Sequence, residues 1–164
     1  MRTLSSTQRM LLDIQGFGEV DDATLARTQG WLRFAPALCA LVAALGTALA
    51  SPWTLWALAA IAAAGAALPF HPFDLAYRAG VRRFSAGPPL PENRAPRRFA
   101  CALASGWLVV TGALFTGGYD VAGYVLGASL VAVATLVATT HVCIPSIIFR
   151  TACGQMPSLL RARV

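Results

Sequence analysis

The sequence has no lysine and little charge of either sign. Only 12% of its 164 residues are charged, whereas an ordinary soluble domain carries about 25%. Its mean hydropathy is +0.62, and its apolar runs continue for many helical turns without an ionisable residue. This composition disfavours a soluble enzyme, a secreted disulfide scaffold and a disordered tail. It predicts an integral membrane protein with one compact domain.

Four uncharged stretches predict four transmembrane helices. A hydrocarbon core of about 30 Å requires about 20 helical residues, with about 17 as the lower limit. Pro145 interrupts the last stretch and predicts a kink or a stop there, because proline cannot continue the helical hydrogen bonds. We expect residues 143–150 to lie along the membrane surface. The predicted spans are 34–50, 53–70, 99–117 and 121–143.

Short connections make neighbouring spans antiparallel. Residues 51–52 join the first pair and residues 118–120 join the second pair. The predicted fold is therefore all-α, a polytopic membrane domain over 34–149 that contains two helical hairpins. A polar loop, 71–98, separates the hairpins. Residues 1–33 are expected to form a cytoplasmic segment before the domain, and 150–164 a cytoplasmic tail.

The arginines predict the orientation. All thirteen basic residues are arginines, and none lies in the two short turns. Because positively charged loops stay in the cytoplasm, both termini and the central loop are predicted to be cytoplasmic. No cleaved signal peptide is predicted, since about thirty polar or mixed residues precede the first apolar run. Within them we expect a short segment in the membrane interface, formed by Leu11, Leu12, Ile14 and Phe17.

The arginines next to the membrane predict contacts with lipid headgroups. An anionic cytoplasmic leaflet attracts each arginine by about 1 kcal/mol. The lipid bilayer is thus the expected partner of this surface, and nucleic acid is not. The predicted headgroup contacts are Arg78, Arg82, Arg83, Arg97 and Arg98.

The spans contain small residues but no ionisable ones. Aspartate, glutamate, arginine and histidine are absent from all four spans between 34 and 140. Their absence disfavours a secondary transporter and acid–base catalysis inside the membrane. Gly123 and Gly127 have a spacing that lets another helix approach closely. We therefore expect a partner that is another membrane protein or a second copy of this chain.

The two hairpins resemble each other and place two histidines at one end. A shift of 65 residues aligns 33–35 with 98–100, both Arg-Phe-Ala, which indicates a parallel internal repeat. His71 follows the second span and His141 follows the fourth, so both are expected at the cytoplasmic mouth. Cys39 and Cys101 are interpreted as packing residues.

Two interpretations of the histidines remain open. In one, His71 binds the carbonyl end of its own helix and Asp74 caps the next helix. In the other, His71, Asp74, His141 and Cys143 converge as ligands for zinc or a similar metal. Cys143 is also the candidate reactive thiol, and disulfides are not expected on a reducing side. The sequence itself requires no cofactor.

Three segments carry a family resemblance. Arg33-Phe34 precedes the first hairpin, 96–100 reads Pro-Arg-Arg-Phe-Ala, and 140–146 reads Thr-His-Val-Cys-Ile-Pro-Ser. From Arg33 to Arg150 the chain resembles the small bacterial membrane family catalogued as domain of unknown function 4395. The resemblance implies four spans in a bacterial inner membrane. It also implies thiol or sulfur chemistry, because genes of the family often neighbour thioredoxin-like or rhodanese-like proteins.

The chain departs from the family pattern at its last motif. Many members close with Cys-X-Gly-Cys. Cys143 matches the first cysteine, but Pro145 and Ser146 occupy the last two places. The motif's second thiol, which would resolve a disulfide, is therefore missing.

Two functions remain after these observations. The favoured hypothesis is a noncatalytic accessory or scaffold subunit of a membrane complex, because the spans are free of ionisable groups and no catalytic motif is present. The alternative is a cytoplasm-facing protein that handles thiols or sulfur, or binds a metal. It would use Cys143 with His141 and His71.

Overall fold

The computed structural model describes residues 4–81 and 89–154, and within these ranges it contains helices and connections but no strands. The all-α prediction is therefore confirmed. The helices are α1 Ser6–Leu12, α2 Asp22–Leu32, α3 Phe34–Ala48, α4 Pro52–Ala67, α5 Asp74–Ala76, α6 Ala95–Thr116, α7 Asp120–Thr140 and α8 Ile144–Ala152. Two π-helical turns, Asp13–Phe17 and Tyr77–Val81, complete the helical elements.

Three helical segments in the described ranges are long and apolar enough to cross a membrane. They are Asp22–Ala48, which joins α2 and α3, Ala95–Thr116 and Asp120–Thr140. The fourth apolar helix, α4, has 16 residues and a length of about 24 Å. It ends before the predicted limit at 70, because Leu68 precedes Pro69 and adopts an extended backbone. Three to four apolar helices are consistent with a multi-pass membrane protein.

The four apolar helices α3, α4, α6 and α7 pack into one bundle. Its most extensive contacts join α4 to α6 and α3 to α7. The first helix of each hairpin therefore packs mainly against the second helix of the other hairpin. This reciprocal pairing is the arrangement expected of a parallel repeat, and the repeat itself stays a prediction.

Two arginines reproduce the same exchange between hairpins. Arg33, before α3, donates from Nε to His141 at the end of α7 over 2.7 Å. Arg98, in α6, donates to the carbonyl oxygens of Ala66 and Ala67 at the end of α4, over 2.7 and 2.9 Å. Each arginine thus binds the closing end of the opposite hairpin.

The N-terminal segment covers one end of the bundle, which we call the arginine-rich end; its described residues are 4–33, 68–81, 89–98 and 141–154. Leu12, Phe17, Leu25 and Leu32 form a buried cluster there. The prediction of an interfacial segment is wrong for Leu12, Ile14 and Phe17, whose side chains are at most 5% exposed. Tertiary packing covers these apolar side chains, so they do not face lipid.

Pro36 explains why α2 and α3 are separate helices. Proline has no backbone N–H, so the carbonyl oxygen of Leu32, four residues earlier, lacks its usual helical donor. The helix breaks at Arg33, where the N–H bonds to the carbonyl of Gly30 instead. The carbonyl oxygen of Leu32 accepts instead from the Arg97 side chain in the first turn of α6.

Candidate functional site

A cavity of about 130 Å³ lies between the bundle helices near the arginine-rich end. Most of its wall is apolar, formed by alanine, valine and leucine side chains with Trp107. Six residues with polar or sulfur-containing side chains also line it: Gln15, Cys39, His71, Arg97, Cys101 and Cys143. Three thiols from three separate segments of the chain therefore line one cavity.

Cys39 and His71 form a pair on one side of the cavity. The Cys39 sulfur lies 3.8 Å from His71 Nε2. The backbone N–H of Phe73 donates to His71 Nδ1 over 3.3 Å. A neutral imidazole with an accepting Nδ1 carries its proton on Nε2, so the ring directs an N–H toward the Cys39 sulfur.

The segment 71–74 holds this imidazole in place. The backbone N–H of His71 donates to Asp74 Oδ2 over 3.2 Å, and the N–H of Asp74 donates to the carbonyl of His71 over 2.8 Å. Both residues are buried. Asp74 opens α5, and its carboxylate accepts from the backbone N–H of His71, three residues before the helix. Asp74 thus closes a tight turn around His71, and its expected role as the cap of the next helix stays a prediction.

Arg97 and Cys101 reach the cavity from the first two turns of α6. They are four residues apart and therefore lie on the same face of the helix. Arg97 is 6% exposed and donates from Nη2 to the free carbonyl oxygen of Leu32 over 3.2 Å. Its guanidinium carbon lies 5.5 Å from the centre of the Phe17 ring. The predicted contact of Arg97 with lipid headgroups is wrong, because the side chain turns inward.

Cys143 is buried beside Ser146, immediately before α8. Ser146 Oγ lies 3.1 Å from the Cys143 sulfur and 3.3 Å from the carbonyl oxygen of Pro96. The hydroxyl is therefore placed to donate to a thiolate at Cys143.

His141 lies at the same end but binds other groups. Its backbone is left-handed, with φ of 64°, and it ends α7. Its Nε2 accepts from Arg33, as described above, which requires a neutral ring with its proton on Nδ1. Gln15 Nε2 donates to the His141 carbonyl oxygen over 2.7 Å. His141 therefore ties the N-terminal segment to the end of α7.

Both imidazoles are neutral at physiological pH. Burial lowers the pKa of His71 to about 4, and the positive charge of Arg97 adds to this effect. The pKa of His141 also falls to about 4, mainly through burial and then through Arg33 and Arg97. Desolvation disfavours the charged form of a buried base. Each ring can thus accept one hydrogen bond and donate another.

The four predicted metal ligands do not converge. His71 pairs with Cys39, His141 with Arg33, and Cys143 with Ser146. Among the residues that the structure describes, no three histidine, cysteine, aspartate or glutamate side chains form a group that could hold a metal ion. The zinc interpretation therefore has no geometric support in this part of the chain.

Among the other arginines predicted to contact lipid headgroups, the structure describes the side chain of Arg98 only. Arg98 is exposed and bonds to the last carbonyls of α4. The side chain of Arg78, and all of Arg82 and Arg83, lie outside the described residues.

The two glycines predicted for helix packing lie between helices of this bundle. A β-carbon at Gly123 would come within 2.7 Å of the Phe115 ring, which belongs to α6. A β-carbon at Gly127 would collide with Thr47 Oγ1, which belongs to α3. Both glycines therefore permit contacts inside one chain, and the prediction of a second membrane partner receives no support from them.

The sequence predictions placed Arg97 at lipid headgroups and interpreted Cys39 and Cys101 as packing residues, so none of the three was expected at a cavity. A signal existed for Arg97 and Cys101, because they follow helical spacing along one face with Ala104 and Leu108. Leu108 is buried in the bundle core. This face of α6 therefore runs from the Arg97 guanidinium at the arginine-rich end to the core of the bundle. Cys39 gave no such signal, since its partner His71 comes from the turn after the next helix.

Comparison with known proteins gives one match. The sequence model of a family described as domain of unknown function (DUF4395) matches residues 29–153. This segment contains every lining residue of the cavity except Gln15. No curated protein and no solved structure matches the chain.

Proposed function

The chain belongs to this family, the domain of unknown function (DUF4395), and we propose that it is a bacterial inner-membrane protein that carries out thiol chemistry on a small compound. The observation that carries the proposal is the cavity, in which Cys39, Cys101 and Cys143 share one space with His71 and Arg97. Most free cysteines in helices are packing residues, but three of them facing one cavity are unusual for packing alone.

The proposed orientation places the cavity near the cytoplasm. Arginines lie in the N-terminal segment, the central loop and the tail, and the two short turns at the opposite end have none. Positively charged segments stay cytoplasmic. The thiols would therefore be kept reduced.

Cys143 is the proposed nucleophile. Its sulfur has the hydroxyl of Ser146 within hydrogen-bonding distance, and that hydroxyl can stabilise negative charge on sulfur. The proposed reaction is exchange at a sulfur–sulfur bond of the compound. The Cys143 thiolate forms a bond to one sulfur, and the other sulfur leaves with the bonding electron pair. His71 directs its N–H into the same cavity beside Cys39 and would position the compound.

Replacement of Cys143 by serine tests the proposal. In a strain that lacks the chromosomal gene, we expect the Cys143→Ser protein to fail to restore growth under thiol stress. A serine hydroxyl is not ionised near neutral pH and is a much weaker nucleophile. Protein isolated by acid quenching and analysed by mass spectrometry should carry an added sulfur or a mixed disulfide at Cys143 in the wild type.

Cys153 provides a matched control. It is exposed and lies outside the cavity, so Cys153→Ser should restore growth fully. An accessory subunit, the other function class, needs none of the cavity thiols. Full rescue by Cys143→Ser, with no modification of the wild-type thiol, would refute the thiol proposal and favour the accessory role.

A further inference from the structure

Arg97 is a buried cation without an ionic partner among the described residues. Its Nη1 is buried and has no hydrogen-bond partner. The ion pairs of the described residues join other arginines to carboxylates. Its contacts, the carbonyl of Leu32 and the face of the Phe17 ring, carry no formal charge. A buried N–H donor of a guanidinium that has no acceptor is costly, so this arrangement indicates that an external anion completes the site.

The surroundings of Arg97 specify the kind of anion. The cavity volume of about 130 Å³ is slightly below that of a cavity known to hold benzene, about 150 Å³. A bound molecule is therefore compact. The wall offers few hydrogen-bond donors besides Arg97 Nη1 and His71 Nε2, so a strongly hydrated dianion would lose far more hydration than it could replace.

We infer that the cavity binds a compact, weakly hydrated anion of single charge, with Arg97 as its recognition residue and the three thiols around it. The inference rests on the proposed function, because it names the charge of the compound on which the thiols act. Guanidinium is itself weakly hydrated and suits a soft anion in an apolar site. A charge-assisted hydrogen bond from Nη1 would hold the negative end of the compound.

Two thiol reagents of nearly equal size and different charge test the inference. Iodoacetate is an anion and iodoacetamide is neutral, and both alkylate thiolates. We expect the ratio of the iodoacetate rate to the iodoacetamide rate at the cavity thiols to fall about tenfold in Arg97→Gln, the effect of one lost charge-assisted hydrogen bond. The full-length protein in detergent is labelled, and each cysteine is quantified by mass spectrometry.

Two internal controls accompany this experiment. Cys153 is exposed and reports the intrinsic preference of each reagent in the same molecule. Arg98→Gln removes the adjacent arginine, which lies outside the cavity, and should leave the ratio unchanged. Equal ratios in the wild type and in Arg97→Gln would overturn the inference. If Arg97→Gln does not fold, Arg97→Met, an apolar side chain of similar length, takes its place.

A thiol-independent measurement separates the two proposals. Trp107 lines the cavity, and iodide, a weakly hydrated anion, quenches tryptophan fluorescence. In protein that retains Trp107 alone, we expect saturable quenching by iodide that disappears in Arg97→Gln, while quenching by neutral acrylamide stays equal. Unreactive cavity thiols with saturable iodide quenching would refute the thiol function and keep the anion site. Absence of saturable quenching would overturn the anion site.

Discussion

Gly65 determines where the His71 ring lies. A β-carbon on Gly65 would stand 2.7 Å from His71 Cδ2 and 3.3 Å from Nε2. Both distances are shorter than ordinary contacts, so the imidazole uses space that only glycine leaves free. The Cys39–His71 pair therefore depends on a residue of α4 that carries no functional group.

We expect Gly65→Ala to displace the His71 ring and to destabilise the protein by about 1–3 kcal/mol, the usual effect of overpacking. Thermal unfolding in detergent measures the change. Gly106→Ala is the matched control, because a β-carbon at Gly106 would meet no heavy atom within 4 Å. Alanine in a helix interior should be neutral or stabilise it by up to about 1 kcal/mol. Equal stability of the two variants would show that His71 does not need this space.

Adjacent residues show how far the sequence could specify the site. Arg97 and Arg98 look equivalent in a count of charges next to a span, and both were expected to contact lipid. On a helix they differ by about 100° in direction, so Arg97 enters the cavity and Arg98 binds the end of α4. Helical spacing could have separated them. The pairing of Cys39 with His71 could not be predicted, because it depends on tertiary packing of α3 against the turn after α4.

At the scale of elements, hydropathy located the apolar helices well but described the N-terminal segment poorly. Leu12, Ile14 and Phe17 resemble an interfacial helix in sequence, because an apolar stripe can face either lipid or protein. The structure buries all three, and Leu12 and Phe17 share one cluster with Leu25 and Leu32. The choice between the two environments depends on which surface is available at the arginine-rich end, and a local pattern contains no information about it.

Arg150 of α8 connects that N-terminal segment to the bundle. Its Nη2 donates to the carbonyl oxygen of Asp13 and lies 3.4 Å from the Asp13 carboxylate. Asp13 begins the π-helical turn Asp13–Phe17, and the next residues, Ile14 to Phe17, are buried. The Arg150 side chain thus couples α8 to the turn that presents Gln15 to the cavity.

We expect Arg150→Ala to increase amide hydrogen exchange in residues 13–17 by about tenfold, because a charge-assisted bond to the turn is lost. Exchange in α6 and α7 should stay unchanged. Arg27→Ala removes an exposed arginine of α2 and serves as the control, with no expected effect on 13–17. An unchanged exchange rate in Arg150→Ala would mean that packing of Phe17 alone holds the turn.

At the scale of the whole molecule, the polar chemistry is concentrated at one end. The described spans contain no aspartate, glutamate, arginine or histidine between Phe99 and Thr116 or between Val121 and Thr140. Arg33, His71, Arg97 and His141 all belong to the arginine-rich end, where two hairpins and the N-terminal segment meet. Global stability therefore depends on whether the imidazoles at this junction stay neutral.

The lowered pKa values of the two imidazoles predict an acid-sensitive fold. In the unfolded chain a histidine binds its proton near pH 6.5, whereas in the folded protein both do so only near pH 4. Between these values the unfolded state holds more protons, so stability falls as pH decreases. The stabilising contribution is fully present above pH 6.5 and is lost by about pH 4.

We expect the free energy of unfolding in detergent to decrease by on the order of 2 kcal/mol per imidazole as pH falls from 6.5 to 4.5. Glu19 and Asp21 also have lowered pKa values, through Arg94 and Thr24 respectively, but their contribution is lost only at lower pH. The quantity to compare is the slope of the free energy of unfolding against pH, because a variant that lacks the two imidazoles is destabilised at every pH. The double variant His71→Asn and His141→Asn should show a much flatter slope in this window. An equal slope in the double variant and the wild type would assign the acid sensitivity to groups other than these two rings.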